Sequence, residues 1–166
     1  MSDTHSHCAN IRQAVEVFNK NRVSRCLHAG DILSPHAGQA FRALRCPLDL
    51  VFGNNDSPEE PLIRAFSDIG VFHHAPFGFE IEGRRFLMMH EPIGLDAIAD
   101  VRDYDCIIYG HTHRHDIRIE ADILIVNPGE VCGYFTGIAT VVLLEVPGMK
   151  AKLVTLEGSD EVDIFL

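Results

Sequence analysis

The sequence predicts an α/β layered fold, with mixed sheets covered by helices. Three observations carry that reading. Short apolar runs alternate with helix-like stretches through the first half. Apolar runs paired across tight turns dominate the second. Several of these runs empty into a polar loop rich in Asp, Asn or His, which is where open α/β sheets place their ligands. With 166 residues, one domain spanning 1–166 is expected.

Along the chain, Ile11, Ala14, Val15 and Phe18 recur at helical spacing behind Asn10, a good N-cap residue. Val23 to Leu27 is a buried strand opening into His28-Ala29-Gly30-Asp31. Pro35 to Leu44 suits a helix with proline in its first turn. Leu48 to Phe52 is a second strand, emptying into Gly53-Asn54-Asn55-Asp56. Ser57, Pro58 and Glu60 read as N-cap, first-turn proline and capping acid of a helix that Gly70 ends. Phe77–Ile81 and Arg84–Met89 form a hairpin around Glu82-Gly83. A helix is expected within Pro92–Val101, then a strand over Cys106–Tyr109. Strands follow at Asp116–Ile119, Ile123–Val126, Ile138–Val146 and Lys150–Leu156.

Composition excludes several classes. At 46% hydrophobic and 23% charged residues, the chain can build a core, so disorder is excluded. No apolar run approaches the ~20 residues of a bilayer span. The polar opening Met1-Ser2-Asp3-Thr4-His5 is no cleavable signal. A net charge of −10 repels polyanions, which argues against sequence-independent nucleic-acid binding. The 5 cysteines are odd in number and form no CxxC pair, so reduced thiols in a cytoplasm are expected.

Five clusters carry chemistry: Asp3-x-His5, Gly30-Asp31, Gly53-Asn54-Asn55-Asp56, His90 and Gly110-His111-Thr112-His113. Each alone reads as a turn, a solvated terminus or a core histidine; their conjunction is what points to a site. The glycines before Asp31, Asn54 and His111 are expected to allow sharp backbone turns. The donor set is nitrogen and oxygen without thiolate. It suits Mn²⁺, Fe, Ni²⁺ or Zn²⁺, and it has too many members for one tetrahedral ion. Two ions fit if Asp31 is shared.

This ordered set resembles the calcineurin-like metallophosphoesterase superfamily. Ser2-Asp3-Thr4-His5, Gly53-Asn54-Asn55-Asp56, Gly110-His111-Thr112-His113 and Asn127-Pro128-Gly129-Glu130 are most similar to its compact prokaryotic and archaeal phosphodiesterases, the YfcE-like group. The resemblance implies a four-layer αββα sandwich with two metals at the strand ends. One metal would take Asp3, His5, Asp31 and His113. The other would take Asp31, Asn54, His90 and His111. Mn²⁺ or Ni²⁺ is favoured, with Fe, Zn²⁺ or Mg²⁺ as alternatives. The implied reaction is hydrolysis of a phosphodiester by a hydroxide shared between the ions. Asp31, Asn55 and Asp56 are the candidate catalytic residues, with Asp56 orienting nearby His or Asn groups. Asn55 and His7 are the candidate substrate contacts, and His115 is a further histidine beside the ligands. The expected partner is a small phosphate ester, with neither a membrane nor a sequence-specific nucleic acid; a homo-oligomer stays open. A non-enzymatic scaffold of the same fold, as in a retromer subunit, and a phosphomonoesterase are the rival readings.

Three positions depart from the family pattern. No apolar strand precedes Ser2 to mount Asp3 and His5, so the first strand is missing and the tail Glu161–Leu166 becomes a candidate for its slot. Asn55 stands where many members carry histidine, which leaves no imidazolium to protonate a leaving oxygen. Glu91 stands where a glycine usually follows the histidine of the fourth motif.

Overall fold

The computed structural model describes residues 1–95 and 103–156. Helix α1 (Cys8–Lys20) turns Ile11, Ala14, Val15 and Phe18 inward, the face expected from their spacing. Its N-cap is His7, whose ring accepts the Asn10 N–H, and not Asn10. Asn10 is buried instead, and its side chain donates to the carbonyls of Val131 and Cys132 at 2.9 and 3.3 Å. A tertiary contact has displaced the local one.

Strand β1 (Cys26–His28) follows. A 3₁₀ turn, Pro35–Ala37, then leads into the short helix α2 (Gly38–Phe41), so the continuous helix expected over Pro35–Leu44 is shorter and split. Next come β2 (Leu48–Val51), α3 (Glu59–Phe66) and β3 (Val71–His73). The N-cap of α3 is Pro58, with no side-chain capping bond, rather than Ser57. The helix ends at Ser67, before Gly70. A Cβ on Gly70 would press on the Leu48 carbonyl, so this glycine serves the close approach to β2.

The second half holds β4 (Phe77–Ile81), β5 (Arg84–Met88), β6 (Cys106–Ile108), β7 (His115–Glu120), β8 (Ile123–Pro128), β9 (Thr140–Glu145) and β10 (Lys150–Thr155). The β4–β5 hairpin turns at Glu82-Gly83, both at positive φ. Most of the expected helix within Pro92–Val101 lies outside the described residues, as does the whole tail Glu161–Leu166.

Strands β1, β2 and β3 form a parallel sheet, β9 and β10 an antiparallel pair, and the order β4-β5-β6-β8-β7 makes a mixed sheet. Leu48 and Leu50 face the apolar sides of α1, α2 and α3. Val51 faces the other way, against Phe86, Met88, Cys106, Ile108 and Val126 between the sheets. Leu87, Ile107 and Ile125, one residue out of phase, build a third core on the far face. The strands that carry the site are thus buried on both faces, as parallel strands usually are.

Residues 1–5 themselves supply the mount that the sequence reading found missing. On one side the Met1 amino group donates to Leu27, Ala29 N–H to the Met1 carbonyl, Asp3 N–H to Gly30 and His5 N–H to Asp31, all at 2.9–3.0 Å. On the other, Val131 and Cys132 N–H donate to the carbonyls of Ser2 and Asp3 at 3.1 Å. Met1, Ser2, Asp3 and Thr4 are all buried. A cavity of about 540 Å³ lies where the chain enters β1, walled by Met1, Cys26, Phe86 and Val142, and none of the candidate site residues lines it.

Candidate metal centre

Because β1 runs parallel to β2, and β5 to β6, the exits of these strands share an edge. Asp31, Asn54, His90 and His111 follow those four exits. The local backbone is costly there. Asp3, His5, Asp31, His111 and His113 all have positive φ, between 40° and 67°. A non-glycine residue so placed costs roughly 1–3 kcal/mol and persists only where its surroundings enforce it. Of the glycines expected to turn the chain, only Gly30 has positive φ. Gly53 and Gly110 act by size: a Cβ on Gly53 would overlap the Asp31 carboxylate, and one on Gly110 would overlap Ser2 and crowd Asp3.

One half of the site is buried. Asp3, His5, Asp31 and His113 each offer a ligand atom, all within 4.8 Å of one another. The Asp3 Oδ2 atom accepts the Ser2 hydroxyl and, at 3.1 Å, the His111 N–H. Among the described residues its Oδ1 has no hydrogen-bond partner, and neither has His5 Nε2, although both atoms are buried. They lie 4.0 Å apart, with His113 Nε2 3.6 Å from Asp3 Oδ1 and Asp31 Oδ2 3.4 Å from His5 Nε2. Burial pushes the Asp3 carboxyl up from its usual range; a cation in the gap would reverse that.

The other half is more open. His90 Nδ1 lies 2.8 Å from the Ala29 carbonyl, which can only accept, so Nδ1 carries the proton. In the neutral ring Nε2 is then a lone pair. It faces Asn54 Oδ1 at 3.0 Å and Asp31 Oδ1 at 3.5 Å. His111 Nδ1 also lies 3.0 Å from Asn54 Oδ1. Asn54 Oδ1 against the His90 Nε2 lone pair is an acceptor facing an acceptor, which a cation between them or a rotated Asn54 amide relieves. Asp31 stands between the halves, with Oδ2 toward His5 and Oδ1 toward His90.

The supporting residues differ from expectation in detail. The Asp56 carboxylate receives the backbone N–H groups of Asp31, Ile32, Leu33 and Gly53 at 2.7–2.9 Å. It therefore orients backbone, not His or Asn side chains. Asn55 donates to Asp31 twice, from its amide side chain at 2.7 Å and its N–H at 3.0 Å. His7 spends its Nδ1 on α1, and His115 is exposed at the start of β7. Glu91 is half-buried beside His90.

Two further residues hold the site together and were given no role from the sequence. Glu130, fully buried, accepts from His113 Nδ1 at 2.8 Å, which leaves His113 Nε2 a lone pair facing inward. Burial pushes the Glu130 carboxyl up, but bonds from the Thr136 N–H, the Cys132 thiol, the Thr136 hydroxyl and His113 outweigh it and hold it at about 2. The Asn127 side chain donates to Gly110 O and Thr112 Oγ1, both at 2.9 Å, and so braces the turn that carries His111 and His113. The signal available was the Asn127-Pro128-Gly129-Glu130 turn at the end of an apolar run.

Residues 1–149 match the calcineurin-like phosphoesterase superfamily domain. A phosphodiesterase of Methanocaldococcus jannaschii is 35% identical over 161 residues, which cover 95% of this chain and 97% of the relative. The solved structure of an archaeal phosphodiesterase superposes with a TM-score of 0.88 at 34% identity, over 93% of this chain and 96% of the other. The phosphoesterase YfcE of E. coli shares the fold at a TM-score of 0.71 and 19% identity, over 98% and 94% of the two chains. By its sequence and its fold, the chain belongs to the calcineurin-like phosphoesterase superfamily.

Proposed function

We propose that this protein is a phosphodiesterase working with two divalent cations, Mn²⁺ or Ni²⁺ first among them. Asp3, His5, Asp31 and His113 hold one ion. Asp31, Asn54, His90 and His111 hold the other, with Asp31 shared. The observation that carries the reading is a pair of buried atoms, Asp3 Oδ1 and His5 Nε2, that have no hydrogen-bond partner among the described residues. Leaving such an atom unpaired costs roughly 1–3 kcal/mol, and one cation would satisfy both. The donor chemistry, all nitrogen and oxygen, suits these metals. When bound, two such ions would supply an activated water and neutralise charge on the phosphate oxygens.

The chain's own residues prepare that chemistry. Glu130 and the Ala29 carbonyl each fix a histidine tautomer, so His113 and His90 present Nε2 lone pairs inward. Asp56 locks the backbone that carries Asp31. Asn55 holds the Asp31 carboxylate and cannot donate a proton as an imidazolium would. Diesters with acidic leaving groups are therefore the best substrates. The free cysteines support a cytoplasmic setting, and among the described residues no helix is long and apolar enough to cross a membrane.

A screen of Mn²⁺, Ni²⁺, Mg²⁺ and Zn²⁺ against aryl mono- and diesters tests the reading. The expected result is hydrolysis of bis(p-nitrophenyl) phosphate about tenfold or more faster than p-nitrophenyl phosphate, with Mn²⁺ or Ni²⁺ best. Ion binding without hydrolysis of either ester would favour the scaffold reading. Faster monoester hydrolysis would make the protein a phosphomonoesterase.

A further inference from the structure

Two adjacent aromatic residues stand beside the buried half of the site and face solvent. Tyr134 is 62% exposed and Phe135 is 70% exposed. The Phe135 ring centroid lies 4.2 Å from that of His113 and 6.0 Å from that of His5. Tyr134 packs against His7 at 5.3 Å. The ledge is firmly tied down. Phe135 N–H donates to Glu130 Oε1 at 2.9 Å, and Thr136 donates to the same oxygen from its N–H at 2.6 Å and its hydroxyl at 2.7 Å. One buried carboxylate thus fixes both His113 and the loop bearing these rings.

Exposed rings pinned so close to the reacting position waste apolar surface unless something covers them. The group nearest to hand is whatever hangs from the phosphate ester. We infer that Tyr134 and Phe135, backed by His7, form a subsite that stacks a planar ring of the substrate, an aryl group or a nucleobase. Stacking of this kind is tolerant of ring identity, so the subsite selects for aromaticity and not for one base. It also gives His7 a supporting place in substrate recognition, because its Nδ1 is already spent on α1. The inference rests on the phosphodiesterase reading above.

Calorimetry on the full-length, Mn²⁺-loaded protein separates the two. Methylphosphonate and phenylphosphonate form one matched pair; 2-deoxyribose 5-phosphate and thymidine 5′-monophosphate form the other. The wild type should prefer the ring-bearing member of at least one pair by roughly 5- to 30-fold. The pair that shows the preference tells aryl from nucleobase. Phe135→Ala should bring that ratio close to one. Phe135→Leu, which keeps apolar bulk against His113, should do the same with metal content unchanged. A ratio that survives both variants, or no preference in the wild type, overturns the subsite. If none of the four ligands binds the loaded wild type, the phosphoesterase reading falls, and the subsite with it.

Discussion

The two halves of the site are built from similar residues and stand in opposite situations. Asp3, His5 and His113 are enclosed, and two of their polar atoms have no hydrogen-bond partner among the described residues. Asn54 and His111 are exposed, and their atoms meet each other and His90 at 3.0 Å. The open half can relieve its crowded acceptors by rotating the Asn54 amide. In the enclosed half the groups are already committed: His113 Nδ1 to Glu130, and Asp3 Oδ2 to the Ser2 hydroxyl and the His111 N–H. The enclosed half also brings Asp3 in addition to the shared Asp31, whereas the open half adds only a neutral amide. The enclosed half should therefore hold its ion more tightly, and the open half should exchange it. During stepwise chelation, one equivalent of metal should leave well before the other, and the thermal midpoint should fall mainly with the second. Simultaneous loss of both would erase the distinction.

Asp31→Asn should break both halves together. It removes the one charge that each half shares, so activity should fall on the order of 10³-fold, with metal content reduced in both positions. His5→Ala touches the enclosed half alone and should cost less. Wild-type metal content and rate in the Asp31→Asn variant would sink the shared-carboxylate arrangement.

Glu130→Gln should weaken the enclosed half selectively. It removes the carboxylate that orients His113, a change typically worth 10–100-fold in metal affinity. The open half should keep its affinity, which metal titration of wild type and variant would show. This residue also gives a pH signature. Its folded-state pKa, about 2, lies below the ordinary 4.5. The stability it contributes is fully present above about pH 4.5 and is lost as pH falls through the folded value. The stability difference between wild type and Glu130→Gln should shrink across that window in acid denaturation. A difference that stays constant would mean that Glu130 is not held ionised by its neighbours.

How much of this could be seen in the sequence follows the same division. The seven candidate ligands were legible because ligand chemistry restricts residue type, and because each one stands at a strand exit or in a short motif. Glu130 was not given a role. Its partner His113 lies 17 residues away, and nothing in local spacing links an acid after Pro128-Gly129 to a histidine in another turn. The glycines were seen but half misread, since a sequence does not tell a turning glycine such as Gly30 from one such as Gly110 that yields room to Asp3. Asn10 has the right chemistry for an N-cap, yet the carbonyls of Val131 and Cys132 claimed its side chain from a distant segment. Strand β3 is too short and too exposed to leave a periodic trace. Met1 to Asp3 do not look like a strand either. Their pairing is supplied by β1 and by Val131-Cys132, and neither contact is local.

The smallest expected effect comes from Asn55, where two roles compete. Its amide donates to Asp31 Oδ2 at 2.7 Å, which makes it a positioning residue for the shared carboxylate. A donor to phosphate was the expectation from the family pattern. Asn55→Ala keeps the backbone N–H bond to Asp31 Oδ1 and removes only the side-chain one. If Asn55 positions Asp31, kcat should drop about tenfold, with KM little changed and a slight loss of metal affinity in both halves. If it binds phosphate, KM should rise and metal affinity should stay as it is. Asn55→His sharpens the test further. An imidazolium there would protonate a departing oxygen, so alkyl diesters should gain on aryl diesters and the dependence of rate on leaving-group pKa should flatten. An unchanged slope in that variant would place the leaving oxygen beyond the reach of residue 55, and Asn55 would then be confined to the Asp31 carboxylate it touches.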